Sequence, residues 1–351
     1  MSSPSKRDLG QYFTEDSVWL RPHLKAHLDT LKSTYTSCLD PFAGDGHLLA
    51  LAEEAGFQVH GYDIDATHCQ RRDWGKPHDS IRRVPQHQNT FVLTNPPYMA
   101  KNSAKRMKSS MVDYFRPGSV PGIGEKQLNV LDDLFKLAIE RTIAVYGDSI
   151  WIVPESGIQD LERLPHWKNN LHSLTILESN PFKDTEHPVC VMVFSSSNPD
   201  QEVWKNDSFL GTYDQLREVH LEALNAPRAA ISMQFNAPQG NLGYRAVDGT
   251  KEDDSMRVKF CRADELGYDR KGIKVTSRHM TYIDVPLSGQ DLDKTIEKAN
   301  AIIEAYRAAT HDVFLTAFMG NTKRGQRWRR LDYKLARRMF NAAFLTRKDR
   351  Q

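Results

Sequence analysis

The chain has 351 residues, 39% of them hydrophobic and 26% charged, with a formal net charge of +2. That balance describes a folded globular protein, excludes a disordered or collagen-like chain, and leaves room for two domains with separate cores. The four cysteines (Cys38, Cys69, Cys190, Cys261) form no CxxC pair and no apolar run reaches membrane-spanning length, so no metal site, disulfide framework or membrane contact is indicated and a reducing cytoplasm is the expected compartment.

The first residues are basic but lack the apolar core of a secretory signal. Residues 8–14, DLGQYFT, place Tyr12 and Phe13 side by side in a polar segment. They either plug the edge of a core or cover a ligand. A first helix is expected from about Asp16 to Leu31. Residues 36–51, TSCLDPFAGDGHLLAL, read as a short strand ending at Asp40, a turn with Gly44 and Gly46, and an apolar helix from about His47. Glycine there lets the backbone approach a ligand. The third glycine of the dinucleotide fingerprint is missing and so is a GK[ST] phosphate loop, so the expected ligand has no pyrophosphate. Residues 57–65 read as a second strand, with Asp63 at its end, where an acid can accept from ribose hydroxyls. Asp65 reads as the cap of the next helix.

Residues 66–88 are polar and rich in Arg and His. Asp79 and Asp73 compete there as acceptors for an adenine amino group. Residues 90–98, TFVLTNPPY, are the sharpest feature. Phe91, Val92 and Leu93 form a buried strand, and two prolines force it to stop. Asn95 and Tyr98 are then held on a stiff turn at the carboxyl end, where open α/β sheets bind ligands. The Asn95 side-chain oxygen and the Pro96 carbonyl can accept both hydrogens of a conjugated NH2 group, and Tyr98 offers a ring for stacking. After it come Lys101, Lys105, Arg106 and Lys108, read as a mobile basic loop suited to phosphates.

A helix over 126–146 follows, then strands at Ser149–Val153, Ser173–Leu177 and Val189–Phe194. Phe182 lies in the loop between the last two and could stack on a base. The alternation fits a doubly wound sheet with an antiparallel edge. Around Ser195–Asp207 the pattern breaks with SSSNPDQ, which reads as a linker. The second region holds a helix near 212–224, strands at 231–235, 244–247 and 256–260, and a long helix from about Gln290 to Thr310. From Gly320 onward eleven basic residues face only Asp332 and Asp349, a net +9. Such segregation favours a polyanion. Lys323, Arg324, Arg327, Arg329 and Arg330 are its densest run. Arg245, Lys274, Arg278 and His279 are candidates for reading bases, on polarity alone.

In the order GQYFT, DPFAGDG, GYDID, DSI and NPPY, with a further region after them, residues 8–195 resemble an S-adenosylmethionine-dependent DNA adenine-N6 methyltransferase. The order is similar to the gamma arrangement of type II restriction–modification enzymes. The resemblance implies an α/β fold: a Rossmann-like class I methyltransferase sheet of seven strands, the last antiparallel, with a mixed α+β DNA-recognition domain. Residues 1–200 would be catalytic and 201–351 would recognise the target. It implies that Tyr12, Phe13 and Thr14 lie at the methionine end of the cofactor. Asp40, Phe42, Gly44 and Gly46 would form its loop, Asp63 would take its ribose and Asp79 its adenine. Asn95, Pro96, Pro97 and Tyr98 would hold a flipped target adenine, with Tyr98 and Phe182 stacking on it. The implied partners are double-stranded DNA and a cognate restriction endonuclease, in a prokaryote or phage. Enzymes that methylate RNA amines or protein glutamine share the NPPY turn and remain alternatives.

Overall fold

The computed structural model describes residues 19–178, 188–249, 257–321 and 327–348, without the side chains of 319–321 and 347–348. Tyr12, Phe13, Thr14, Phe182, Lys323 and Arg324 lie outside the described residues. The chain forms two compact units, divided between Leu210 and Gly211.

The first unit opens with α1 (Pro22–Leu31), where Pro22 takes the first helical position and costs no hydrogen bond. It continues through β1 (Ser37–Asp40), α2 (His47–Glu54), β2 (Gln58–Gly61), α3 (Ala66–Arg72) and β3 (Thr90–Thr94). Next come α4 (Lys101–Met107), α5 (Leu134–Ile143), β4 (Asp148–Pro154), α6 (Pro165–Asn169), β5 (Leu171–Ile176) and β6 (Val189–Ser195). Last are β7 (Glu202–Lys205) and β8 (Ser208–Thr212).

The sheet order is β2-β1-β3-β4-β6-β5-β7-β8. β1 to β4 run parallel, and β6 is antiparallel to both its neighbours. Every residue of β3, β4 and β6 is buried, as strands covered on both faces must be. The α/β class with a reversed strand is therefore as expected, but the sheet has eight strands rather than seven. The polar stretch after α3 lacks the apolar run that would make a strand beside β2. At the other edge, β7 pairs in parallel with β5 through Val203, which is fully buried. The segment read as a linker thus supplies a strand. The expected helix over 126–146 also starts later, at Leu134, because Asp133 takes an extended conformation.

The second unit contains α7 (Tyr213–Asn225), β9 (Gln234–Phe235), β10 (Leu242–Arg245), β11 (Lys259–Arg262), β12 (Met280–Asp284) and α8 (Gly289–Thr310). It ends with β13 (Thr316–Asn321), β14 (Arg327–Arg330) and α9 (Tyr333–Lys348). A complete capping box starts α7: Thr212 accepts from the Gln215 backbone and Gln215 reaches back. An antiparallel sheet in the order β11-β10-β12-β9 packs its apolar face against α8 and α9. Phe260 stands between Tyr244 and Phe340, at ring-centroid distances of 4.6 and 5.0 Å.

One ion cluster fastens this unit. Arg307 of α8 is 9% exposed and makes two bonds each to Asp248 and Asp312, all 2.8–2.9 Å. Arg307→Met would leave both carboxylates without their cation. We expect a loss of about 3–5 kcal/mol, read from the urea unfolding midpoint of the whole chain.

Candidate functional site

The carboxyl ends of β1, β2 and β3 meet at one cavity, and each end brings its own chemistry. β1 ends in Asp40, which is 2% exposed and accepts from Thr94 Oγ1 (2.5 Å) and the Phe42 backbone N–H (3.0 Å). The loop that follows contains Gly44 (φ +49°) and Gly46 (φ +76°), both in the left-handed region that glycine enters without strain. Beyond β2, Asp63 holds this loop. Its Oδ2 accepts from the Gly44 N–H (2.9 Å) and its Oδ1 from that of Asp65 (2.7 Å).

Asp79 reaches the same cavity on the segment after α3. The His78 N–H donates to the Asp63 carbonyl at 2.7 Å, which fixes that segment to the end of β2. Asp79 accepts from Tyr114 Oη (2.8 Å) and from Arg82 Nη1 (3.1 Å). Asp73 is exposed, caps α3 in a left-handed conformation and does not line the cavity. Of the two aspartates, Asp79 lines the cavity and Asp73 does not. At the end of β3, Asn95, Pro96 and Pro97 form the facing wall.

The cavity therefore brings together Asp40, Phe42, Gly44, Asp63, Asp79, Asn95, Pro96 and Pro97. Gly46 and Tyr98 are not part of its lining. Gly46 is the cap of α2, pressed against Trp74. Tyr98 is 7% exposed, with its ring edge-on to Phe135 and its hydroxyl 2.7 Å from the Ile152 carbonyl. The same hydroxyl lies 2.5 Å from Asn95 Oδ1. One hydroxyl proton cannot serve two acceptors. An amide turned to present Nδ2 to Tyr98 removes the conflict. Here Tyr98 orients Asn95; the open stacking face expected of it is turned into the core.

The basic residues also differ from expectation. Lys101 begins a helix instead of a loop, and Lys105, Arg106 and Lys108 are exposed along and just beyond it. Arg327 and Arg329 are 5% and 3% exposed, so they are not open to phosphates. They point inward because β14 alternates its faces. Arg330 is half-buried, as is Arg245; Lys274, Arg278 and His279 are exposed.

Met111, Tyr114 and Trp74 are among the residues missed from sequence. Met111 and Tyr114, on a 3-10 helix over Ser110–Phe115, line the cavity. Trp74 donates from Nε1 to the Gly44 carbonyl (3.1 Å) and lies over Gly61 and Gly46. A large aromatic alone in a polar stretch, RRDWGK, was the available signal.

Burial sets the electrostatics. It pushes the Asp40 carboxyl up to about 7, against the opposing effect of its Thr94 and Phe42 bonds. It raises Asp63 as well. Burial and the Asp79 carboxylate raise the Tyr114 hydroxyl. The cavity thus offers two desolvated acids near one another, a setting that favours a cation.

No family model matches the sequence, and no curated protein matches it. Solved structures do. One is the type I restriction-modification system methyltransferase subunit from Streptococcus thermophilus, at 14% identity and a TM-score of 0.35, covering 61% of this chain and 53% of its own. This chain thus spans about half the length of that subunit. Another is the hMettl16 catalytic domain in complex with MAT2A 3'UTR hairpin 1, at 12% identity and a TM-score of 0.33, covering 53% and 72% respectively. The functional reading is carried by the cavity itself. No helix among the described residues is long and apolar enough to cross a membrane.

Two expectations follow. A Cβ on Gly61 would stand 2.7 Å from the Trp74 ring. Gly61→Ala should cost about 1–3 kcal/mol by fluorescence-detected urea unfolding, and adding Trp74→Leu should recover most of it. Asp40 ionises near 4 in the unfolded chain and near 7 when folded. Between those values the unfolded chain holds fewer protons, so its ionisation lowers stability as pH rises and the effect levels off above 7. Asp40→Asn, which keeps an acceptor for Thr94, should gain stability over the parent across that window; a constant difference in urea midpoint from pH 4 to 8 would contradict the raised value.

Proposed function

We propose that this protein is an S-adenosylmethionine-dependent methyltransferase acting on the N6 amino group of an adenine flipped out of duplex DNA. The observation that carries the reading is that the Asn95–Pro96–Pro97 turn shares one cavity with Asp40, Gly44, Asp63 and Asp79. An amine-orienting turn and a pocket for a cationic nucleoside are then within one enclosure.

The residues present fit the cofactor. Asp40 and Asp63 are buried acids suited to its positive charge and its ribose hydroxyls. The positive-φ loop at Gly44 lets the backbone come close. Phe42, Ile64, Ile81 and Leu134 supply apolar wall for a purine, and Asp79 an acceptor for its amino group. The bound cofactor would supply an electrophilic sulfonium methyl.

The protein's own part is positioning. The Asn95 side-chain oxygen and the Pro96 carbonyl accept the two amino hydrogens, which takes the nitrogen lone pair out of conjugation with the ring. They also stabilise the positive charge that develops on that nitrogen. The surplus proton leaves to solvent, and no strong base is required. The buried Tyr98 hydroxyl keeps the Asn95 amide in place. Flipping costs a few kcal/mol, which phosphate contacts offset. Through the motif order, the reading extends to protection of host DNA beside an endonuclease of the same specificity.

Methyl transfer from labelled cofactor should be measured with duplex DNA, RNA and protein as parallel acceptors, followed by nucleoside digestion. Label in N6-methyldeoxyadenosine is expected. Label in RNA or protein alone would keep the cavity assignment and overturn the DNA substrate. Asn95→Ala should lower turnover by about 10²–10³-fold with cofactor affinity little changed; loss of cofactor binding would contradict the assigned role.

A further inference from the structure

The Asn95–Tyr98 turn is fixed at its start by the sheet, where Thr94 bonds Asp40. Pro96 and Pro97 carry no backbone N–H, so these two residues cannot be tied down through amides of their own. Beyond Tyr98 a hold comes from 34 residues further along the chain, where Asp133 Oδ1 accepts from the Met99 backbone N–H at 2.9 Å. The Leu134 N–H donates to the Met99 carbonyl at 3.2 Å, and the Lys101 N–H to the Asp132 carbonyl at 2.8 Å. Ala100 and Asp133 pair as an isolated antiparallel bridge. Residues 99–101 and 132–134 thus form a short ladder in which Asp133 supplies a side-chain rung.

The far side of this ladder is anchored. Asp133 immediately precedes α5, whose first residue, Leu134, lines the cavity. Phe135 meets the Tyr98 ring edge-on at 6.3 Å. Lys136 reaches Asp132 at 2.7 Å and the buried Asp160 at 2.9 Å, which ties the start of α5 to the segment after β4. An aspartate just before a helix ordinarily serves the amides of that helix. Here the carboxylate is also committed across the chain, to Met99. Burial pushes it up to about 7, and the Met99 N–H is the strongest of the influences that hold it down. That bond therefore favours the ionised form.

We propose that Asp133 is a positioning residue for methyl transfer. Through the Met99 N–H it sets the backbone of the turn, and so the place of the amine's two acceptors, the Asn95 side chain and the Pro96 carbonyl. Asp133 is not part of the cavity lining and acts only through the turn. The proposal rests on the catalytic reading of that turn given above. Met99 is buried, so losing the carboxylate leaves its N–H unpaired and the turn free to shift. A misplacement of about 1 Å can cost about 100-fold in rate. The cofactor's acids are held by other contacts, Asp40 by Thr94, Asp63 by Gly44 and Asp79 by Tyr114. Cofactor affinity should therefore survive a change that lowers turnover.

The test compares the full-length parent with Asp133→Ala and Asp133→Asn, each well below its melting midpoint. Hydrogen–deuterium exchange at the Met99 amide should quicken at least about 10-fold in Asp133→Ala. It should stay near the parent in Asp133→Asn, whose side-chain oxygen keeps an acceptor in place. With labelled S-adenosylmethionine and the acceptor that the parent methylates, Asp133→Ala should lose about 10–100-fold in kcat, with cofactor Kd within about threefold of the parent. Asp133→Asn should recover most of that kcat. Arg307→Met, weakened in the second unit, should keep the parent kcat while folded. Unchanged Met99 exchange in Asp133→Ala would overturn the proposal. So would an equal loss of kcat in Asp133→Asn or Arg307→Met, or a loss confined to cofactor Kd. A parent that methylates no acceptor overturns the catalytic reading and this role together; transfer by the parent with no kcat loss in Asp133→Ala overturns this role alone.

Discussion

The bond from Thr94 Oγ1 to Asp40 Oδ1, buried at 2.5 Å, is the constraint on which the first unit's cavity depends. It joins the last residue of β3 to the last residue of β1. One residue beyond Thr94 is Asn95, and the glycine loop begins one residue beyond Asp40. The two walls are thus set by a single contact between strand ends that already lie side by side in the sheet. Burying a carboxylate there is expensive, and the cost appears as the upward shift of Asp40.

Around this bond the loop is over-determined. Asp63 holds Gly44 through its N–H, and Trp74 holds it through its carbonyl. Trp74 also leaves no room for a side chain at Gly61 or Gly46. Asp79 is fixed in turn by Arg82 and Tyr114. Two segments distant in sequence, 76–82 and 110–115, are thereby locked to one edge of the cavity. A site whose polar groups are held by neighbours before any ligand arrives loses little entropy when one binds.

The second unit follows a different logic. Its stability rests on an aromatic core between sheet and helices and on the doubly paired Arg307. Its arginines divide into two populations that composition alone cannot separate. Arg327 and Arg329 turn inward on β14, whereas Arg228, Arg278 and Lys334 ring an open concavity. A run of basic residues records charge but not direction; a strand's two-residue alternation then sends half of that charge to the wrong face.

The sequence by itself determined the local events. Two prolines stopped β3 at Asn95, glycines marked the loop after Asp40, and apolar runs placed the buried strands and the long helix α8. These depend on sterics and periodicity within a few residues. Tertiary structure decided what depends on distant partners. It brought Asp79, not Asp73, to the cavity wall, beside Tyr114. It turned Tyr98 inward onto Phe135 and the Ile152 carbonyl, seated Trp74 on two glycines, and recruited β7 from a polar stretch read as a linker. In each case the deciding neighbour lies more than ten residues away in the chain. No local pattern encodes such a neighbour, because its position exists only once the sheet has formed.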